Sequence, residues 1–236
     1  MSAQVALQSG FILHQRPYRE SSLLLDVFTR DHGVIPVLAR GVRKSKSKLA
    51  GVLQPFFMLQ ISYLDKNDLK LLTHAELQQA YALQRLALYC GFYVNELVQK
   101  LLHKHDPHPE LFTCYADCLC RLSTCSSVEA TLRYFELDLL EHCGYGFDLS
   151  IDANSGAPVQ TGWRYHFVPG MGIVTATEGF ISGATLLTLA MREPLQAQML
   201  PEAKQLSRRM LDSHLSGQVL KSREVLLAMF RYREYH

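Results

Sequence analysis

Five basic residues fall within nine positions of the run Arg40-Gly41-Val42-Arg43-Lys44-Ser45-Lys46-Ser47-Lys48, and no Asp or Glu occurs between Asp31 and Asp65 to offset them. Lysine is a mobile point charge and arginine can fork onto phosphate oxygens, so Arg40, Arg43, Lys44, Lys46 and Lys48 together suit a phosphate backbone held without regard to base sequence. Alternating Lys and Ser keeps the run flexible and hydrated, and a solvated surface loop is the plainer reading of the same residues. Arg16 and Arg19 extend the basic character upstream, and Tyr18 between them offers a ring on which a base could stack, although a single aromatic serves a core as readily.

Other constellations invite chemistry and lose it on spacing. Cys114, Cys118, Cys120 and Cys125 contain no C-x-x-C pair, the spacing that makes a structural zinc signal specific, and Cys114 with Cys118 share a helical face as small apolar residues. His103, His105 and His108 match no hydrolase motif, and Lys104, Asp106 and two prolines among them indicate a solvated helix end. Acid pairs such as Glu136 with Asp138 or Glu141 fit the hydrated face of a helix. The chain has no phosphate-binding P-loop, no glycine fingerprint for a dinucleotide and no G-x-S-x-G elbow. Nothing predicts a catalytic residue or a cofactor.

The elements that must position the basic run follow from periodicity. Residues 5–80 alternate as short strands at Phe11-Ile12-Leu13, Leu23 to Phe28, Val34 to Leu38, Phe56 to Leu64 and Leu69 to Thr73, with Asp31-His32-Gly33 and Asp65-Lys66-Asn67-Asp68 as turns. Five strands with one long basic connection predict a small barrel, of the OB or the SH3-like kind. After Ala80 the period lengthens toward 3.6, with Leu83, Leu86, Cys90, Val94, Leu97 and Leu101 on one face. The expected domains are therefore 1–80, a barrel, and 81–236, a mostly α-helical domain. Further helices are expected over 110–122, from Ser126 with Glu129 as a capping box to Gly144, then over 182–191, 201–215 and 222–231. Residues 147–177 read as an irregular or short-stranded insertion.

Composition bounds the rest. The chain has 236 residues, 48% apolar and 19% charged, which suits an ordinary folded protein and excludes wholesale disorder. No run of about 18 apolar residues suggests a membrane span, and the N-terminal residues lack the pattern of a secretory signal, so a cytoplasmic protein with reduced cysteines is expected. The net charge of +2 hides a division: residues 1–80 carry +4, residues 81–203 carry −6, and residues 204–236 carry +4.

These residues also carry a family resemblance. Glu20-Ser21-Ser22-Leu23, Phe28-Thr29, Ala39 to Ser45 and Leu53-Gln54-Pro55-Phe56 resemble the N-terminal domain of RecO, the bacterial recombination mediator family. Tyr93-Val94-Asn95-Glu96-Leu97, Leu132 to Leu137, Gly144-Tyr145-Gly146 and Leu220 to Glu224 resemble its helical domain. The resemblance implies an α+β protein, an OB-fold barrel joined to helices, that binds single- and double-stranded DNA and anneals complementary strands without ATP. It implies work with RecR in loading RecA onto DNA covered by single-strand-binding protein, and contact with the acidic, Phe-ended tail of that protein. Arg133 is the residue expected at the tail, and a helix-surface arginine paired with Glu129 or Glu136 is the alternative. Many members carry a four-cysteine zinc site in the region of 147–177; this chain has no cysteine there, so a zinc-free member is expected. A metal-dependent hydrolase built on the histidines and a protein-binding adaptor without DNA contact are the competing classes.

Overall fold

Alternation of apolar and polar residues along the first third of the chain produces five strands, which close into a barrel. The structure, a computed structural model, describes residues 3–65, 68–124, 127–215 and 217–234. Lys66 and Asn67 of the expected turn, Cys125, and the expected cap Ser126 lie outside the described residues.

The strands are β1 (Ala3–Tyr18), β2 (Ser22–Thr29), β3 (Gly33–Ala39), β4 (Phe57–Asp65) and β5 (Lys70–Ala80). Their order in the closed barrel is β1-β2-β3-β5-β4, with β1 antiparallel to both β2 and β4, and β3 parallel to β5. That order is the OB-fold's and decides against the SH3-like alternative. Between β3 and β4 the chain makes the basic loop and a single turn of helix, α1 (Leu49–Val52). Ile12, Val27, Ile35, Val37, Leu59, Ile61 and Tyr63 fill the barrel.

β1 serves two neighbours because its register shifts twice, between Val5 and Gln8 against β4 and between Ile12 and His14 against β2. At the second shift Asn95, 2% exposed on α2 (Arg85–Leu101), donates through Nδ2 to the carbonyls of Ile12 (3.4 Å) and Leu13 (3.1 Å). Its Oδ1 accepts from the hydroxyl of Tyr115 on α3 (Pro109–Ser123) at 2.6 Å, and burial pushes that phenol well above its ordinary pKa. Phe11 and Phe28, on the outer face of the barrel, pack on Phe112 and Tyr115. The loop before α3 is pinned as well: His105 N donates to Val34 O at 3.1 Å, and Gly33 has φ +63° where a Cβ would stand 2.1 Å from Asp106 O. Only glycine fits that turn.

The chain divides into two compact units. The first comprises Met1–Ser126 with Leu220–His236, and the second Ser127–Val219. The change of period at residue 80 thus marks the end of the barrel, while α2 and α3 pack with the barrel's apolar outer face. α7 (Lys221–Glu234) also belongs to the first unit, where the Glu96 carboxylate accepts from the backbone N–H groups of Lys221 and Ser222 and from the Ser222 hydroxyl. A carboxylate there meets the positive end of the helix dipole.

The second unit contains α4 (Val128–His142), α5 (Gly183–Ala190), α6 (Leu200–His214) and a three-stranded sheet of β6 (Arg164–Val168), β7 (Gly172–Thr175) and β8 (Ile181–Ser182) in the order β7-β6-β8. The cap of α4 is Ser127, which accepts from Ala130 N, and Gly144 at φ +77° follows its end. The expected insertion is held by Asp152, a buried carboxylate accepting from the N–H groups of Asn154, Ser155 and Thr175 and from the Thr175 hydroxyl.

Candidate nucleic-acid interface

The β1–β2 turn and the β3–α1 loop meet at one end of the barrel. Val42, the apolar residue inside the basic run, is buried in the barrel core and anchors the loop. Gly41 takes φ +69°, turning the chain so that Lys44 N donates back to Gly41 O at 3.3 Å, and Ser47 N to Lys44 O at 3.0 Å. Arg43 joins the two loops: its backbone N donates to Ser21 O at 2.9 Å and its Nη1 to Arg19 O at 3.2 Å. The arginine expected to bind directly therefore also sets the spacing of its neighbours.

Between the loops lies an open cleft of about 490 Å³ lined by Tyr18, Arg19, Ser21, Ser22, Leu38, Arg40, Gly41 and Lys44. Three cations and no carboxylate line it, and the Arg19 guanidinium lies over the Tyr18 ring, 5.4 Å from its centroid. Arg16, Arg19, Arg40, Arg43, Lys44, Lys46 and Lys48 are all exposed. Of these, Arg19, Arg40 and Lys44 line the cleft, while Arg16, Lys46 and Lys48 stand outside it. Such a surface can bind a polyanion by phosphate contact and offers one aromatic face beside the cations.

Arg133 sits elsewhere and differently from its expected place. It is 5% exposed rather than on a helix surface, and its Nη2 pairs at 2.7 Å with Oε1 of Glu136, which is 1% exposed. Packing of α4 on α6 covers this face, so Glu136 is not part of a hydrated face, although Asp138 and Glu141 do lie toward solvent and pair with Arg192. Nε and Nη1 of Arg133 have no hydrogen-bond partner in the second unit.

The cysteines and histidines do not converge. Cys118 is buried, Cys114 half-buried and Cys120 exposed along α3. His105 meets Val34 through its backbone N–H and leaves its imidazole exposed, while His108 faces Asp106 at 3.3 Å. Among the described residues no group of three or more His, Cys, Asp or Glu side chains has the geometry to hold a metal ion. Nor is any described helix long and apolar enough to cross a membrane.

Sequence reasoning missed the work of Asn95 and Glu96. Both lie in the run Tyr93 to Leu97; one faces the barrel and the other caps α7. The signal was there in Asn95, a polar residue among Tyr93, Val94, Leu97 and Val98 on the apolar stretch of α2.

Comparison with known proteins adds an independent line. The family model for the N-terminal part of recombination protein O matches residues 1–81, and that for its C-terminal part matches residues 82–224. A DNA repair protein RecO of Methylococcus capsulatus is 43% identical over 226 residues, covering 94% of this chain and 93% of its own. One from Glaesserella parasuis is 41% identical over 232 residues, covering 96% and 97%, and one from Haemophilus influenzae (strain 86-028NP) is 40% identical over 226 residues, covering 94% and 96%.

Proposed function

This chain belongs to the recombination protein O family of DNA repair proteins, and from that premise we propose that it is a recombination mediator whose barrel binds DNA at the cleft between the β1–β2 turn and the basic loop. The observation that carries this reading is the acid-free lining of that cleft, with Arg19, Arg40 and Lys44 converging beside Tyr18. Arg43, Lys46, Lys48 and Arg16 extend the same positive field along a bound strand. In this reading residues 1–80 are the DNA-binding domain and residues 81–236 the helical domain.

The protein binds single and double strands and anneals complementary ones without ATP. Two strands repel through their phosphates, cations offset that repulsion, and base pairing supplies the driving energy and the specificity. No catalytic residue, metal or nucleotide is needed for this. With RecR the protein loads RecA onto DNA covered by single-strand-binding protein, in the cytoplasm at the nucleoid. The acidic, Phe-ended tail of single-strand-binding protein binds the helical domain, and Arg133 contributes there. Its Nε and Nη1 are buried donors without hydrogen-bond partners, which a tail carboxylate would satisfy once the packing over Arg133 opens to admit it.

The test is an annealing assay on complementary strands, bare and coated with single-strand-binding protein, with RecR present and absent. The expected result is ATP-independent annealing of both substrates. Failure to bind a labelled strand even at low salt would favour the adaptor reading and overturn this one.

A further inference from the structure

Annealing needs two strands held at once, and the barrel cleft accounts for one. The second unit, residues 127–219, is acidic, with six Lys and Arg against ten Asp and Glu. A cation in such a unit is expected to be neutralised, and four of the six are. Arg133 pairs with Glu136, Arg164 with Glu202, Arg192 with Asp138 and Glu141, and Lys204 with Glu129. The two exceptions are adjacent. Arg208 and Arg209 are both exposed on α6, and neither enters any ion pair among the described residues.

Their arrangement is not that of idle surface charge. The Arg209 guanidinium lies over the Phe180 ring, 4.2 Å from its centroid, and the residue remains exposed. Arg208 stands next to it with five further N–H donors. Among the described residues both guanidinium groups stay without a carboxylate partner, in a unit that has ten acidic residues. An external anion supplies the missing counter-charge. The second unit has a cavity of about 540 Å³ whose apolar lining is Leu137, Phe147, Leu149, Leu189 and Met210, but neither Arg208 nor Arg209 lines it, and Glu141 and Asp148 do. Consecutive phosphates of a nucleic-acid strand therefore fit these residues better than an acidic peptide that must also bury a Phe ring.

We propose that Arg208 and Arg209 form a second phosphate-binding site, which holds the second strand during annealing. This deepens the proposed function and rests on it. The test uses the full-length protein with Arg208→Gln and Arg209→Gln together, and with both changed to Lys. Affinity for one labelled single strand is read by fluorescence anisotropy, and annealing of bare complementary strands by the rate of duplex formation. The Gln pair should bind one strand within about threefold of the parent, since the cleft is intact, and anneal about tenfold or more slowly; the Lys pair, which keeps the charge, should recover most of the rate. Circular dichroism checks folding, and Arg208→Gln alone, which leaves the Arg209–Phe180 contact in place, should give an intermediate rate. Annealing by the Gln pair at the parent's rate would overturn the proposal and leave the cleft reading standing. Loss of acidic-peptide binding with annealing intact would also overturn it, reassigning the pair to a protein partner. A parent that neither binds nor anneals strands would remove the cleft reading, and this proposal with it.

Discussion

Two triple variants that remove the same charge separate a cleft from a general positive field. Arg19→Ala, Arg40→Ala and Lys44→Ala together strip the cleft lining, whereas Arg16→Ala, Lys46→Ala and Lys48→Ala together strip exposed cations of the same region outside it. Each phosphate neutralised on a single strand adds about 0.7 to the slope of log K against log salt, so a parent contacting roughly three to five phosphates has a slope of about −2 to −3.5. Between 50 and 200 mM salt such a parent loses roughly 20- to 100-fold in affinity. If Arg19, Arg40 and Lys44 each hold one phosphate, the cleft variant's slope flattens by about 2, while the outer variant's changes by less than about 0.7. Anisotropy of a labelled oligonucleotide over a salt series measures both. The net charge falls equally in the two proteins, so long-range steering is matched between them. A flattening as large in the outer variant as in the cleft variant would refute the assignment of phosphate contacts to the cleft.

Three further outcomes are expected. Asn95→Leu should destabilise the first unit by about 2–4 kcal/mol, because it strips partners from buried carbonyls of β1 and from the Tyr115 hydroxyl; amide exchange in β1 and α2 should accelerate, with the fluorescence of Trp163, in the second unit, unchanged. The Asp152 carboxyl is held far below its ordinary pKa, chiefly by the Thr175 hydroxyl and then by backbone N–H groups. Its contribution is thus present above about pH 4 and lost as pH falls below it, so acid unfolding followed by Trp163 should lose steepness in Asp152→Asn. Arg133→Ala alone should destabilise the second unit by roughly 3–5 kcal/mol by leaving Glu136 buried without its cation, whereas Arg133→Met with Glu136→Met should keep the fold. Titration of that double variant with a tail peptide should show about tenfold weaker binding, and unchanged binding would remove Arg133 from the site.

The barrel was legible because period-2 alternation and turn residues are local signals: each strand from β1 to β5 contains an apolar run read from the sequence. What a count of strands could not supply was their order, since the parallel pairing of β3 with β5 joins residues more than thirty positions apart. The basic loop was legible by composition, but its division into cleft-lining and outer cations depends on Val42 being buried and on Arg43 reaching the β1–β2 turn. Arg133 shows the opposite failure. Its spacing from Glu136 predicted the pair, but burial is set by what packs over α4, and α6 lies some seventy residues further along. Asp152 and Glu96 were invisible for a similar reason: each is an ordinary acid in sequence and becomes a hub only when distant N–H groups converge on it.

The cap that Glu96 places on α7 spans 125 positions of sequence and closes the first unit only after the whole second unit has been synthesised. A nascent chain emerging from the ribosome therefore has the barrel, α2 and α3 long before it has the helix that completes their unit, while Ser127–Val219 is contiguous and can close as soon as it is out. Glu96 must wait with its carboxylate in water until Lys221 and Ser222 arrive. The unit that holds the barrel begins folding first and is completed only after α7 has emerged behind the whole of Ser127–Val219.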